Sequence, residues 1–349
     1  MNPDVPMSPG SGPAPGGSPE PLLALSGLNI SFRQRTTASE AVRNLSFEIG
    51  HGEFVGLVGE SGSGKSVTAL AIMGLLDPRM AIVSGSVRLG GRELLGARPT
   101  DLRRIRGRDI GMVFQEPMTA LDPVFTVGHQ VTETLHAHEK ISRRAARARA
   151  IEMLSDVGIP DPEARFSAYP HQLSGGLRQR AMIAIALCCN PQLLIADEPT
   201  TAVDVTVQAQ LLELLQTLRR ERGTSILLIT HDIGVIAESC DRMMTMYAGE
   251  IVETGPVDSV LANPAHPYTA GLLGAQPSLL TRGKPLTTIP GRLPRQSERE
   301  NGCLFEPRCP FALEPCRASR QVLAPEQGHG ARCWRAPELA GATPRGSDQ

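Results

Sequence analysis

From Leu22 onward apolar and polar residues alternate, and the stretches Leu22 to Phe32 and Ala41 to Ile49 read as two strands of the antiparallel type. Shorter, nearly continuous apolar runs follow at Glu53 to Val58, Ile110 to Phe114, Leu193 to Ala196, Ser225 to Ile229 and Met243 to Tyr247. Runs of that kind suit strands covered on both faces. Helical patterns separate several of them, the first over Lys65 to Met73. This succession predicts an α/β core with a parallel sheet and crossover helices. Between Gln115 and Asn190 the strand pattern stops and helical patterns take over, including the Arg/Ala-rich stretch Ser142 to Val157. Residues 116–190 are therefore expected to form a helical subdomain inserted into a core spanning 22–256. Residues 1–21 are dominated by Pro, Gly and Ser and are expected to be disordered. After Pro256 the composition shifts to Pro, Arg and Cys, which predicts a separate C-terminal extension over 257–335 and a flexible tail over 336–349.

Composition narrows the function classes. A hydrophobic content of 41% supports a sizeable core, and a formal net charge of -1 lacks the basic imprint that nucleic-acid binding leaves. The longest apolar stretch, Ala181 to Cys189, is about half of the roughly 20 residues a membrane-spanning helix needs. No basic run followed by an apolar segment marks a signal peptide near Met1. The expected compartment is the cytosol, where clustered cysteines point to metal or redox chemistry more often than to disulfides.

The segment GESGSGKS, Gly59 to Ser66, fits the phosphate-loop pattern and lies between an expected strand and an expected helix. Its glycines let backbone N–H groups face an anion, and the helix start adds positive potential. Lys65 offers a charge for the β- and γ-phosphates, and the Ser66 hydroxyl a ligand for Mg²⁺. LLIADE, Leu193 to Glu198, delivers two acids to a strand end. Asp197 suits Mg²⁺, and Glu198 suits the polarisation of an attacking water. A helix-capping role explains one of these carboxylates and not the adjacent pair.

Between the two motifs lies LSGGLRQR, Leu173 to Arg180, and here the sequence resembles the ABC ATPase family over roughly Leu22 to Gly255. Gln115 in VFQEP matches the Q-loop, Asp204 in TAVD the D-loop, and His231 in LLITHD the switch histidine. The resemblance implies a P-loop NTPase fold, with a RecA-like sheet, an antiparallel β subdomain and an inserted helical subdomain. It implies ATP contacts from Phe32 against adenine and from Gly59, Glu60, Ser61, Gly62, Ser63, Gly64, Lys65, Ser66 and Val67. It further implies Mg²⁺ held by Ser66, Gln115 and Asp197, and catalysis by Glu198 with His231, Lys65 and Gln115. Ser174, Gly175 and Gly176 precede a helix, making a second anion-binding helix start. In the family that cradle serves the ATP of a second subunit, in a head-to-tail dimer. Leu177 replaces the Gln common in the family, and TAVD departs from the commoner D-loop. Both departures are expected to modulate the dimer interface and leave catalysis intact.

The phrases FQEPMTALDPVFTVGHQ, YPHQLSGGLRQR and NPAHPYTAGLL, with GCLFEPRCP further on, resemble the oligopeptide/dipeptide branch of ABC importers. That implies a membrane-associated ATPase at the cytoplasmic face, working with two transmembrane permease subunits, a second ATPase (a paralogue or a copy) and an extracytoplasmic solute-binding protein. The same branch includes importers of nickel, glutathione and other solutes. A non-transport ABC ATPase would normally show two cassettes, a coiled-coil insertion or basic patches, and this chain shows none of them. Cys303, Cys309, Cys316 and Cys333 are spaced for a metal site but lack the paired C-x2-C knuckles of zinc ribbons. Related importer ATPases carry a [4Fe–4S] cluster at matching cysteines, which the resemblance implies here, with Zn²⁺ as the alternative. With 3 Tyr, 8 Phe and 1 Trp in the chain, the extension is expected to have little aromatic core, and a metal staple would compensate.

Overall fold

The computed structural model describes residues 20–33, 38–115, 120–200, 205–276, 288–294, 298, 301–323 and 328–339. Asp204 and most of the two expected tails lie outside them.

Among the described residues eleven strands form two sheets. In chain order they are β1 Leu23–Arg33, β2 Ala38–Ile49, β3 Phe54–Val58, β4 Ala81–Leu89, β5 Arg92–Glu93, β6 Ile110–Val113, β7 Leu193–Asp197, β8 Ser225–Thr230, β9 Arg242–Tyr247, β10 Glu250–Pro256 and β11 Gly330–Ala331. The smaller sheet has the order β2-β1-β4-β5 and is antiparallel. The larger sheet runs β11-β10-β9-β3-β8-β7-β6, parallel from β9 to β6 and antiparallel at β10 and β11. Every residue of β3, β7 and β8 is buried. The period of two divides each strand between two cores. Leu194, Ala196, Ile226 and Leu228 pack with the helical interval, whereas Leu193, Ile195, Leu227 and Ile229 pack with the antiparallel sheet and the helix Lys65–Ile72.

Beyond residue 119 the chain forms helices Val127–His138, Arg143–Asp156, Pro162–Phe166 and Gly175–Leu187. Thr126 and Ser142 cap two of them, each side chain accepting from a backbone N–H 3.3 Å away. In Arg143–Asp156 the residues Ala146, Ala150, Met153 and Leu154 form the buried stripe, at helical spacing.

Two strands escape the apolar pattern for identifiable reasons. In β4 the sequence Ser84–Gly85–Ser86 interrupts the alternation, and Gly85 has φ 106. A Cβ there would meet the Gly27 carbonyl oxygen at 2.4 Å, so close strand approach replaces side-chain packing. In β10 two acids mask a buried strand, because Glu250 and Glu253 are only 6% and 0% exposed. Glu253 accepts from the N–H groups of Ala265 at 2.7 Å and His266 at 3.0 Å and faces His329 Nε2 at 2.8 Å. Glu250 pairs with Arg320. A buried carboxylate is tolerable only with such partners.

These bonds tie the C-terminal extension to the core. β11 pairs with β10 and so extends the main sheet, and Arg332 N–H donates to Val252 O at 2.7 Å. Aromatic packing adds to that tie. Tyr268 and Phe305 pack on Tyr247 of β9, with ring centroids 4.7 and 5.3 Å from it, all three buried. Among the described residues no helix is long and apolar enough to cross a membrane.

Candidate functional site

The phosphate loop leaves the end of β3 and enters the helix Lys65–Ile72. Gly59 must be glycine, since a Cβ would meet Met246 O at 2.2 Å. Gly64 caps the helix at φ 110, a conformation other residues rarely adopt. Inside the loop Ser63 is fully buried and, among the described residues, its Oγ has no hydrogen-bond partner, an orphaned donor suited to an anionic ligand. Lys65 is 4% exposed and donates from Nζ to Gly59 O at 2.7 Å and Glu60 O at 3.1 Å. Burial holds its pKa below the ordinary lysine value, against the pull of Glu198, Asp197 and Glu60. An anion in the cradle would relieve that cost. Val67 packs its side chain against the core, so its contribution to the loop is the first-turn N–H.

Asp197 ends β7 and accepts from Ser66 Oγ at 3.1 Å. Its pKa is raised, first by burial and then by neighbouring Glu198, while the Ser66 bond and Lys65 oppose the shift. The Ser66 hydroxyl and the Asp197 carboxylate, two oxygen donors in mutual contact, form a donor set that fits a hard cation such as Mg²⁺, which would favour the ionised carboxylate.

Glu198 has φ 47, a strained value for a side-chain-bearing residue, and its N–H donates to Ile229 O of β8 at 2.8 Å. That bond fixes the turn which swings the carboxylate out of the strand direction. Gln115 Nε2 donates to Glu198 Oε2 at 3.2 Å, and His231 Nδ1 lies 3.4 Å from the same oxygen. The fold thus brings two expected catalytic residues, Gln115 and His231, onto one oxygen of a third, Glu198, with Lys65 and Asp197 in electrostatic reach. Phe32 is half-buried near the end of β1 and packs on the antiparallel core.

Ser174 caps the helix Gly175–Leu187, its Oγ accepting from Leu177 N–H at 3.4 Å. Ser174 and Gly175 are exposed, and a Cβ at Gly175 would meet nothing within 4 Å. This helix start is therefore open to a ligand from outside the chain.

Tyr268 and Arg308, which no local sequence pattern singles out, both touch Glu60 of the phosphate loop. Arg308 stands beside Cys309 in PRCP, the one local hint of a role. The four tail cysteines, Cys303, Cys309, Cys316 and Cys333, line one cavity with His266, Phe305 and Trp334. All are free thiols, and burial pushes Cys303 and Cys309 up to about 11. Among the described residues no group of three or more His, Cys, Asp or Glu side chains is arranged to hold a metal ion.

The family described as ABC transporter matches residues 42–201, and the one described as oligopeptide/dipeptide transporter, C-terminal region, matches residues 252–316. A Brucella melitensis protein named as a peptide import ATP-binding protein is 51% identical over 336 residues, covering 93% of this chain and 99% of the relative. A second protein so named, from Brucella abortus, is 50% identical over 313 residues, covering 90% and 94%. Among solved structures, a dimeric ATP-binding cassette, MJ0796, in a post-hydrolysis state bound to ADP and Pi, is 30% identical with a TM-score of 0.61, covering 67% of this chain and 98% of its own. The cbiO1 subunit of an ABC transporter complex from Clostridium perfringens is 28% identical with a TM-score of 0.59, covering 69% and 91%.

Proposed function

Because this chain belongs to the ABC transporter family of ATP-binding subunits, we propose that it hydrolyses ATP to power an importer of di- and oligopeptides. The observation that carries this reading is the match of cassette and extension together to peptide import ATP-binding proteins. ATP enters with its polyphosphate against the Gly59 to Ser66 N–H groups and the Lys65 ammonium. Ser66 and Asp197, with Gln115, would hold Mg²⁺, which supplies positive charge against the phosphates. Glu198 orients and deprotonates the attacking water, and His231 and Gln115 hold the Glu198 carboxylate and the γ-phosphate in register. A partner's Ser174 to Gly176 segment closes over the same ATP, so binding joins two ATPase subunits and hydrolysis releases them. The dimeric cassette among the solved relatives supports that arrangement. Two permease subunits at the cytoplasmic face receive the motion, and an extracytoplasmic binding protein delivers the solute.

The test is a reconstituted importer with its solute-binding protein. Di- or oligopeptide is expected to stimulate ATP hydrolysis and to accumulate in vesicles. Stimulation by nickel ions or glutathione, with peptides silent, would replace peptide as the cargo.

The four tail cysteines are proposed to hold a [4Fe–4S] cluster, with Zn²⁺ as the alternative. Their convergence on one cavity supports a shared ligand. When bound it would staple the extension, and its thiols would lose their protons. Anaerobic purification is expected to yield about four irons and four sulfides per chain. Cys309→Ser is expected to lose that iron and to make the extension more protease-sensitive. Unchanged metal content and protease resistance would remove Cys309 from the site.

A further inference from the structure

We infer that Arg308 is a positioning residue of the nucleotide site. From the C-terminal extension it neutralises Glu60 inside the phosphate loop and keeps that loop receptive to a polyphosphate. The inference rests on the reading of Gly59 to Ser66 as the ATP cradle.

Arg308 belongs to a short 3-10 turn, Glu306–Arg308, and is 8% exposed. Its Nη1 donates to Glu60 Oε2 and its Nη2 to Glu60 Oε1, both at 3.0 Å, a two-pronged pair across 248 positions of sequence. The guanidinium is itself fixed, since Nε donates to Pro290 O at 2.7 Å. Glu60 is also held through its main chain, where its N–H donates to Tyr268 Oη at 2.8 Å. Both ends of one loop residue are thus gripped from beyond residue 256. Leu293, near Gly62, adds an apolar contact from the same side.

The chemistry asks for such a grip. A loop that attracts polyphosphate carries a carboxylate at its second position, and that charge repels the ligand. It also competes for Lys65, whose pKa it raises and whose Nζ already bonds the Glu60 carbonyl. A planar guanidinium matches a carboxylate with two parallel bonds and cannot lose its charge. Paired in this way, the Glu60 charge is balanced at a partly buried site. An ordinary staple between two parts of the fold would need the pair, but would not need its charge to be balanced.

That difference sets the experiment. Binding of a fluorescent ATP analogue with Mg²⁺, and KM and kcat for ATP, are measured on the full-length chain together with its melting temperature. Arg308→Ala is expected to weaken binding and raise KM by about tenfold, as one uncompensated charge near a polyphosphate does at an effective dielectric of about 20. Its kcat should change much less. Arg308→Lys, which keeps the charge and loses the fork, should fall between. The double variant Arg308→Ala with Glu60→Gln should recover most of the lost affinity, because a neutral side chain needs no counter-charge. Unchanged affinity in Arg308→Ala, or a double variant as weak as the single one, would overturn the inference. Should Arg308→Ala not fold, Arg308→Gln, which keeps a hydrogen-bonding side chain and loses the charge, decides: weaker binding at a wild-type melting temperature supports the inference, and unchanged binding sinks it. Lys65→Ala serves as the control for the cradle. Normal binding in that variant would remove the cradle reading and this inference with it, whereas lost binding there beside a silent Arg308→Ala removes the inference alone.

Discussion

Glu198→Gln is expected to stop ATP turnover while leaving ATP bound. The substitution keeps the shape of the side chain and one oxygen near Gln115 and His231, which lie 3.2 and 3.4 Å from Oε2. It removes the negative charge that lets this group accept a proton from water. Loss of a general base costs about 10²- to 10⁴-fold in rate, so residual hydrolysis should fall at least to that extent. Binding should hold or improve, since Glu198 is the largest of the acids acting on Lys65 and its charge opposes a polyphosphate. With hydrolysis blocked, the ATP-bound dimer should persist on size exclusion with light scattering. A variant hydrolysing within about threefold of wild type, far short of the loss a base removal brings, would take Glu198 out of the role and leave His231 as the next candidate.

The parts of this site that could be read in the sequence are local ones. Gly59 to Ser66 is legible because strand, glycine loop and helix are contiguous, so the periodicity around the motif fixes its context. Leu193 to Glu198 is legible because a wholly apolar run ends in two acids. The grouping of Gln115, Glu198 and His231 followed from family resemblance, and the fold supplies its physical form in three neighbouring parallel strands, β6, β7 and β8, that end on the same side. What escaped is long-range or polar. Glu253 looks like a surface acid until three partners from the extension close around it. Arg308 looks like one more arginine in a Pro/Arg-rich tail until the chain returns it to residue 60. β4 hides behind a Ser-Gly-Ser interruption that only makes sense beside Gly27. No local rule of propensity reports such pairings, because the stabilising group lies from 12 to 248 positions away in the chain.

Ser174→Arg is expected to abolish hydrolysis without disturbing the chain that carries it. Ser174 is exposed at the start of a 13-residue helix, and among the described residues a Cβ at Gly175 meets nothing within 4 Å, so a longer side chain has room there. The internal cost is a weak cap bond of 3.4 Å and a cation at a helix N-terminus, on the order of 1 kcal/mol, which a modest drop in melting temperature would register. The functional cost lies elsewhere, since the arginine would fill the space that the γ-phosphate of a partner's ATP must enter. Each variant chain keeps its own phosphate loop and spoils the other's site. Lys65→Ala is the mirror image, with a spoiled loop and an intact Ser174. In an assembly of two copies, each variant alone should be inactive. Mixing the two should restore activity, because mixed dimers contain one site built from an intact loop and an intact Ser174 segment. A site complete within one chain predicts no such recovery. If the mixture stays at the level of the separate variants while mixed dimers are present, Ser174 does not serve a partner's ATP. Its exposed helix start would then need another ligand.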